Sequence, residues 1–126
     1  MNERDVARGT ATIRAFVARE TERAASATAA RVASRRALLP AMVERLRALG
    51  AERIWLFGSL AQHAGWGAPS CDSDIDLAVE GLPADRFFAA YGILWDLAGE
   101  PVDLVALEDA APELRQRILS DGEVLR

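Results

Sequence analysis

The sequence predicts an α/β fold preceded by an N-terminal helical extension. Three observations carry that reading. From residue 37 onward, short apolar runs of strand length alternate with segments of helical periodicity. The first 36 residues are rich in Ala and Arg, with no Gly between Gly9 and Gly50. The chain is 126 residues long, 51% hydrophobic and 27% charged, which suits one domain with its own core. Only 6% of residues are aromatic, so Ala, Leu and Val must fill most of that core.

Each element has a local reason. Glu3 to about Ala33 is built from Ala and Arg, both strong helix formers. Val6, Ile13, Phe16 and Val17 fall near one face, and Val32 is the next large apolar residue. Between Val17 and Val32 that face is nearly all Ala. The helix is therefore expected to be long and to bury little; a partner completes it, or it is a fraying extension. A break is expected near Ser34. Pro40 then sits in the first turn of a second helix, on which Leu39, Met42, Val43, Leu46 and Leu49 recur at helical spacing. Gly50 is placed to end it. Arg53–Phe57 reads as a buried strand that Gly58 and Ser59 terminate. Residues 61–73, with Gly65, Gly67 and Pro69, read as a loop. Residues 74–79 read as a strand with one acidic face, 84–98 as a helix, 102–106 as a third strand and 112–120 as a final helix. Trp55 and Trp95 are assigned to the core.

The absences exclude whole classes of chemistry. All fifteen basic residues are Arg, which removes lysine Schiff bases and a Walker A lysine. One Cys, Cys71, and one His, His63, rule out an internal disulfide, a cysteine zinc cluster and multi-histidine zinc sites. No G-x-S-x-G elbow is present. No apolar run resembles a secretory signal or a membrane span, so a cytoplasmic protein is expected. Residues 1–53 carry eleven Arg against six acids, and residues 54–126 carry four Arg against thirteen acids. The acidic half suits a cation or a basic partner, and direct nucleic-acid binding is not expected.

Asp74, Asp76 and Asp103 are the candidate site. On one strand, residues two apart share a face at ~6.6 Å between Cα atoms, so Asp74 and Asp76 are expected to point the same way. Asp103 joins them if the next strand lies alongside. Two such charges ~5 Å apart repel by about 3 kcal/mol at an effective dielectric of about 20. Such a cluster calls for a cation or for protons. Hard oxygen ligands suit Mg²⁺, and carboxylates so arranged can hold two ions ~3.5–4 Å apart, the geometry of phosphoryl and nucleotidyl transfer. An EF-hand starting at Asp72 fails, because Leu77 and Pro83 occupy the positions that need Gly and Glu. Gly58 lets a backbone approach closely, and Ser59 offers a hydroxyl to a phosphate. His63 within reach of Ser59, a reactive Cys71, and Trp66 as a base-stacking residue are weaker candidates; a loop-anchoring role for Trp66 stands beside the last.

Taken together, Phe57-Gly58-Ser59, then Ser73-Asp74-Ile75-Asp76-Leu77, then Val102-Asp103-Leu104 resemble the nucleotidyltransferase superfamily with the polymerase-β-like fold. LLPAMVERLRALGAERIWLFGSLA, SDIDLAVE and LRQRILSDGEVLR are similar to the minimal nucleotidyltransferases, and the likeness runs from Leu38 to Arg126. The resemblance implies a small mixed β-sheet with helices packed on it over residues 37–126, with residues 1–36 as a helical extension. It implies that Asp74 and Asp76 bind Mg²⁺, two ions being expected, and that Asp103 completes the metal site and helps activate the acceptor hydroxyl. It assigns Gly58 and Ser59 to the triphosphate of ATP.

The sequence departs from the family in two respects. Fourteen residues, 60–73, separate Gly58-Ser59 from the acids, where the family has about ten, and no Arg or Lys occurs from 54 to 85. The metals and backbone then neutralise the triphosphate, or arginines of the N-terminal helices reach in, or catalysis is weak. Stand-alone members of the family are commonly antitoxins that move AMP from ATP onto a tyrosine of a HEPN RNase toxin, as in type VII-like toxin–antitoxin pairs. A HEPN-type toxin is therefore the expected partner. An antitoxin acting by binding alone and a small-molecule adenylyltransferase of the aminoglycoside type are the alternatives.

Overall fold

The computed structural model describes residues 3–126, with side chains from residue 9 onward. A long helix, α1 (Glu3–Arg36), leads into α2 (Leu39–Ala48). Then follow β1 (Arg53–Phe57), β2 (Asp76–Glu80), α3 (Phe87–Ala98), β3 (Asp103–Ala106), α4 (Pro112–Asp121) and β4 (Glu123–Leu125). The strands form one sheet in the order β3-β2-β1-β4. β1 runs antiparallel to both β2 and β4, whereas β2 and β3 are parallel and joined through α3. The sheet is mixed and carries helices on both faces, as the resemblance implied.

Strand parity sorts the side chains. Ile54 and Leu56 of β1, Leu77 and Val79 of β2, and Leu104 of β3 join Met42, Leu46, Ala90 and Leu94 in the larger core under α2 and α3. Trp55, Phe57 and Ala78 point the other way and pack with Leu107 and Ile118, against Leu114 of α4. Asp76 shares the parity of Ala78, and Asp103 that of Val105. Both acids thus fall on the α4 face of the sheet, at the start of their strands.

The helix ends follow from backbone chemistry. Ser34 does not break α1, because its hydroxyl donates to the Arg31 carbonyl at 3.0 Å inside the helix. The helix continues to Arg36 and turns at Ala37 and Leu38. Gly50, at φ +113°, ends α2. Its N–H reaches the Arg47 carbonyl and that of Ala51 the Leu46 carbonyl, each at 3.0 Å, closing a Schellman motif.

Three expectations are corrected. β2 starts at Asp76, so Asp74 precedes the strand. Asp103 opens β3 instead of taking its second position. Trp95 is 46% exposed, and its indole N–H donates to the Val102 carbonyl at 3.0 Å, so it is not a core residue. β4 was not foreseen. Along α1, residues 9–27 are exposed, including Ile13, Phe16 and Val17, while Val32 is buried. The Val6 side chain lies outside the described residues. No described helix is long and apolar enough to cross a membrane.

Candidate active site

Asp76 and Asp103 are brought together by register. They are Cα partners in the parallel β2–β3 ladder, and the Asp103 N–H donates to the Ile75 carbonyl at 3.1 Å. Burial, then the hydrogen bond and charge of Asp103, then the charge of Asp74, push the Asp76 carboxyl up to about 7 from an ordinary 3.8.

Gly58 fits this arrangement for a steric reason. Phe57 is the β1 partner of Asp76, which puts the Asp76 carboxylate over the following peptide. A Cβ at Gly58 would collide with Asp76 Oδ2, and the backbone there has φ +76°, a region that side chains disfavour. Ser59 begins a 3-10 turn, Ser59–Ala61, and its hydroxyl meets the Ser73 hydroxyl at 2.8 Å. Ser73, 5% exposed, also accepts from the Ser70 N–H at 2.8 Å. Ser73 therefore ties the Gly-Ser turn to the segment that carries Asp74 and Asp76. Sequence reasoning included Ser73 in the motif without giving it a role.

Asp74 is placed differently. It is exposed, and its Oδ1 accepts from Arg31 Nη2 at 3.2 Å. Among the described residues no three His, Cys, Asp or Glu side chains stand close enough together to hold a metal ion. The structure thus joins Asp76 with Asp103 and leaves Asp74 at the margin, held by a cation. Even so, the donor set fits a hard divalent cation. Two carboxylates face each other in register, Asp76 half-buried and Asp103 exposed, and their repulsion is relieved by a proton or a metal. Asp76 and Asp103 are the residues that would hold it, and Asp74, whose charge reaches Asp76, stands beside the pair.

The 60–73 segment is ordered by its own contacts. His63 Nδ1 accepts from the Gly65 N–H at 3.0 Å and caps the 3-10 turn Ala64–Trp66, which uses the imidazole structurally. The Trp66 indole N–H donates to the Asp121 carbonyl at 2.9 Å, its ring lies 5.5 Å from that of Phe57, and the Arg117 guanidinium sits 4.4 Å above it. Trp66 is the anchor of the loop. Cys71 is exposed.

The family model described as polymerase beta, nucleotidyltransferase matches residues 47–126. A solved structure described as a minimal nucleotidyltransferase is 30% identical, with a TM-score of 0.62, over 75% of this chain and 95% of that one. A toxin–antitoxin structure with AMP-PNP is 30% identical, with a TM-score of 0.53, over 67% and 68% of the two chains. A MntA–HepT toxin–antitoxin structure is 25% identical, with a TM-score of 0.54, over 72% and 71%. Among curated proteins none matches.

Proposed function

The chain belongs to the polymerase beta nucleotidyltransferase family, and from that premise we propose that it moves AMP from ATP onto a hydroxyl, a tyrosine of a HEPN-type RNase toxin, as the antitoxin of the pair. Residues 37–126 form the catalytic domain in this reading, and residues 1–36 are an extension of it. The observation that carries the reading is the in-register pairing of Asp76 with Asp103 over Gly58. Support for the toxin partner comes from the likeness to toxin–antitoxin structures, one of them with AMP-PNP.

The reaction joins the acceptor oxygen to the α-phosphorus of ATP and breaks that phosphorus from its bridging oxygen, so that pyrophosphate leaves. The hydroxyl must lose a proton as the new bond forms, and Asp103 is the acceptor for it. Asp76, with Asp103 opposite it and Asp74 alongside, would hold divalent metal, which when bound would supply charge to neutralise the triphosphate and polarise the reacting oxygens. Gly58 presents peptide N–H groups unobstructed by a side chain, and Ser59 adds a hydroxyl, so the triphosphate lies against this turn. With no Arg or Lys from 54 to 85, most of the neutralisation would fall to the turn and to bound metal.

Incubating the protein with its co-purified partner, ATP and Mg²⁺ and weighing the partner tests the proposal. A mass gain in whole AMP units, lost in Asp103→Asn, is expected. A stable complex with no mass gain would support the second reading, a binding-only antitoxin. The side-chain poverty of the triphosphate loop favours that reading.

A further inference from the structure

The last turns of α1 touch every loop that carries the candidate site. Arg31 Nε donates to the Ser73 carbonyl at 2.9 Å and Nη2 to Asp74 Oδ1 at 3.2 Å. Both terminal nitrogens of Arg31 also bond Glu100, which sits three residues before Asp103. Arg35 pairs with Glu100 at 3.1 Å and donates to the Ala98 carbonyl at 3.0 Å. Arg36 donates to the carbonyl of Leu60, the residue after Ser59, at 3.1 Å. All three arginines lie outside the matched segment 47–126.

We propose that Arg31 is the positioning residue of Asp74, so that the extension completes the cation site of the domain it precedes. The inference rests on the AMP-transfer reading above. Arg31 grips both the main chain before Asp74 and its side chain, and it is itself fixed by the Glu100 fork. A carboxylate has about four acceptor sites, so a bond to Oδ1 leaves Asp74 able to ligate a cation. Donors behind a metal ligand orient it, and their loss typically weakens metal binding by about 10–100-fold. A lysine would supply the charge without the planar fork that spans Ser73, Asp74 and Glu100.

The test is Mn²⁺ binding to the full chain without nucleotide, read as the free-ion resonance signal. Arg31→Ala should weaken binding about tenfold, and Arg31→Lys should recover only part of it. Arg23→Ala, on the same helix and paired with Glu20, is the control and should bind as the wild type does. Charge alone works in the opposite direction, since removing a cation beside acids tightens Mn²⁺ binding. A role confined to fastening α1 lowers the melting temperature and leaves Mn²⁺ affinity unchanged. Tighter or unchanged binding in Arg31→Ala overturns the proposal. Should that variant not fold by circular dichroism, Glu100→Gln, which loosens the same fork, decides with a smaller shift in the same direction. Wild-type protein that binds no Mn²⁺, or Asp76→Asn that binds it equally well, overturns the AMP-transfer reading and this inference with it.

Discussion

Asp76 and Asp103 stand opposite one another at the first residue of two parallel strands, on the same face of the sheet. Two acids in that position are not held there by packing. The strands place them, because the β2–α3–β3 crossover fixes the register and the alternation of the pleat fixes the face. Burial of its carboxyl first, and then the Asp103 opposite it, keep the proton on Asp76 up to about 7.

That shift predicts the pH dependence of the metal-free protein. The unfolded chain releases the Asp76 proton near 3.8, whereas the folded chain keeps it to about 7. The folded state therefore binds more protons across that window, and stability is lost as pH rises through it. Asp76→Asn escapes the loss. In thermal melts with chelator present, the variant should gain on the wild type steadily from about pH 4 to pH 7 and hold its lead above. An advantage that does not change with pH would argue against the assigned burial and pairing.

Gly58→Ala should be damaging out of proportion to one methyl group. The new Cβ meets Asp76 Oδ2 and must also adopt φ +76°. Backbone strain of this kind costs about 1–3 kcal/mol, and relieving the collision moves the carboxylate. A fall in melting temperature together with loss of Mn²⁺ binding is expected. Full retention of both would show that the turn and the acid are not in contact.

Trp66→Ala tests the anchoring of the long loop. The ring bonds the Asp121 carbonyl, packs at a tilt against Phe57 and lies under Arg117. As Trp66 is only half-buried, a loss of about 2 kcal/mol is expected, below that of a core Trp truncation. Proteolytic cleavage should appear within residues 60–73. If stability holds while ATP affinity collapses, the indole is a base-stacking platform instead.

The sequence made β1 legible to the residue, because an apolar run ended by Gly58 and Ser59 has one sensible reading. The helices α2, α3 and α4 were visible for the same reason, periodicity between turn residues. β4 was not, since three residues after α4 have no period to read and are held by pairing with β1. Asp74 looked like a strand residue because Asp74-Ile75-Asp76-Leu77 alternates, yet ladder pairing begins only at Asp76. The three candidate acids were identifiable from residue type and spacing; how they are held was not. Arg31 lies 43 residues before Asp74, and nothing local ties the two. The one available signal was the lack of any basic residue from 54 to 85 beside an Arg-rich helix end.

The most direct measurement is calorimetric titration of ATP into the protein, with Mg²⁺ and with chelator, for the wild type, Asp76→Asn and Asp103→Asn. Saturable binding only in the wild type and only with Mg²⁺ is the expected result. Equal ATP affinity with and without the metal, or in the two variants, would contradict the claim that this pair of carboxylates builds a metal-dependent nucleotide site.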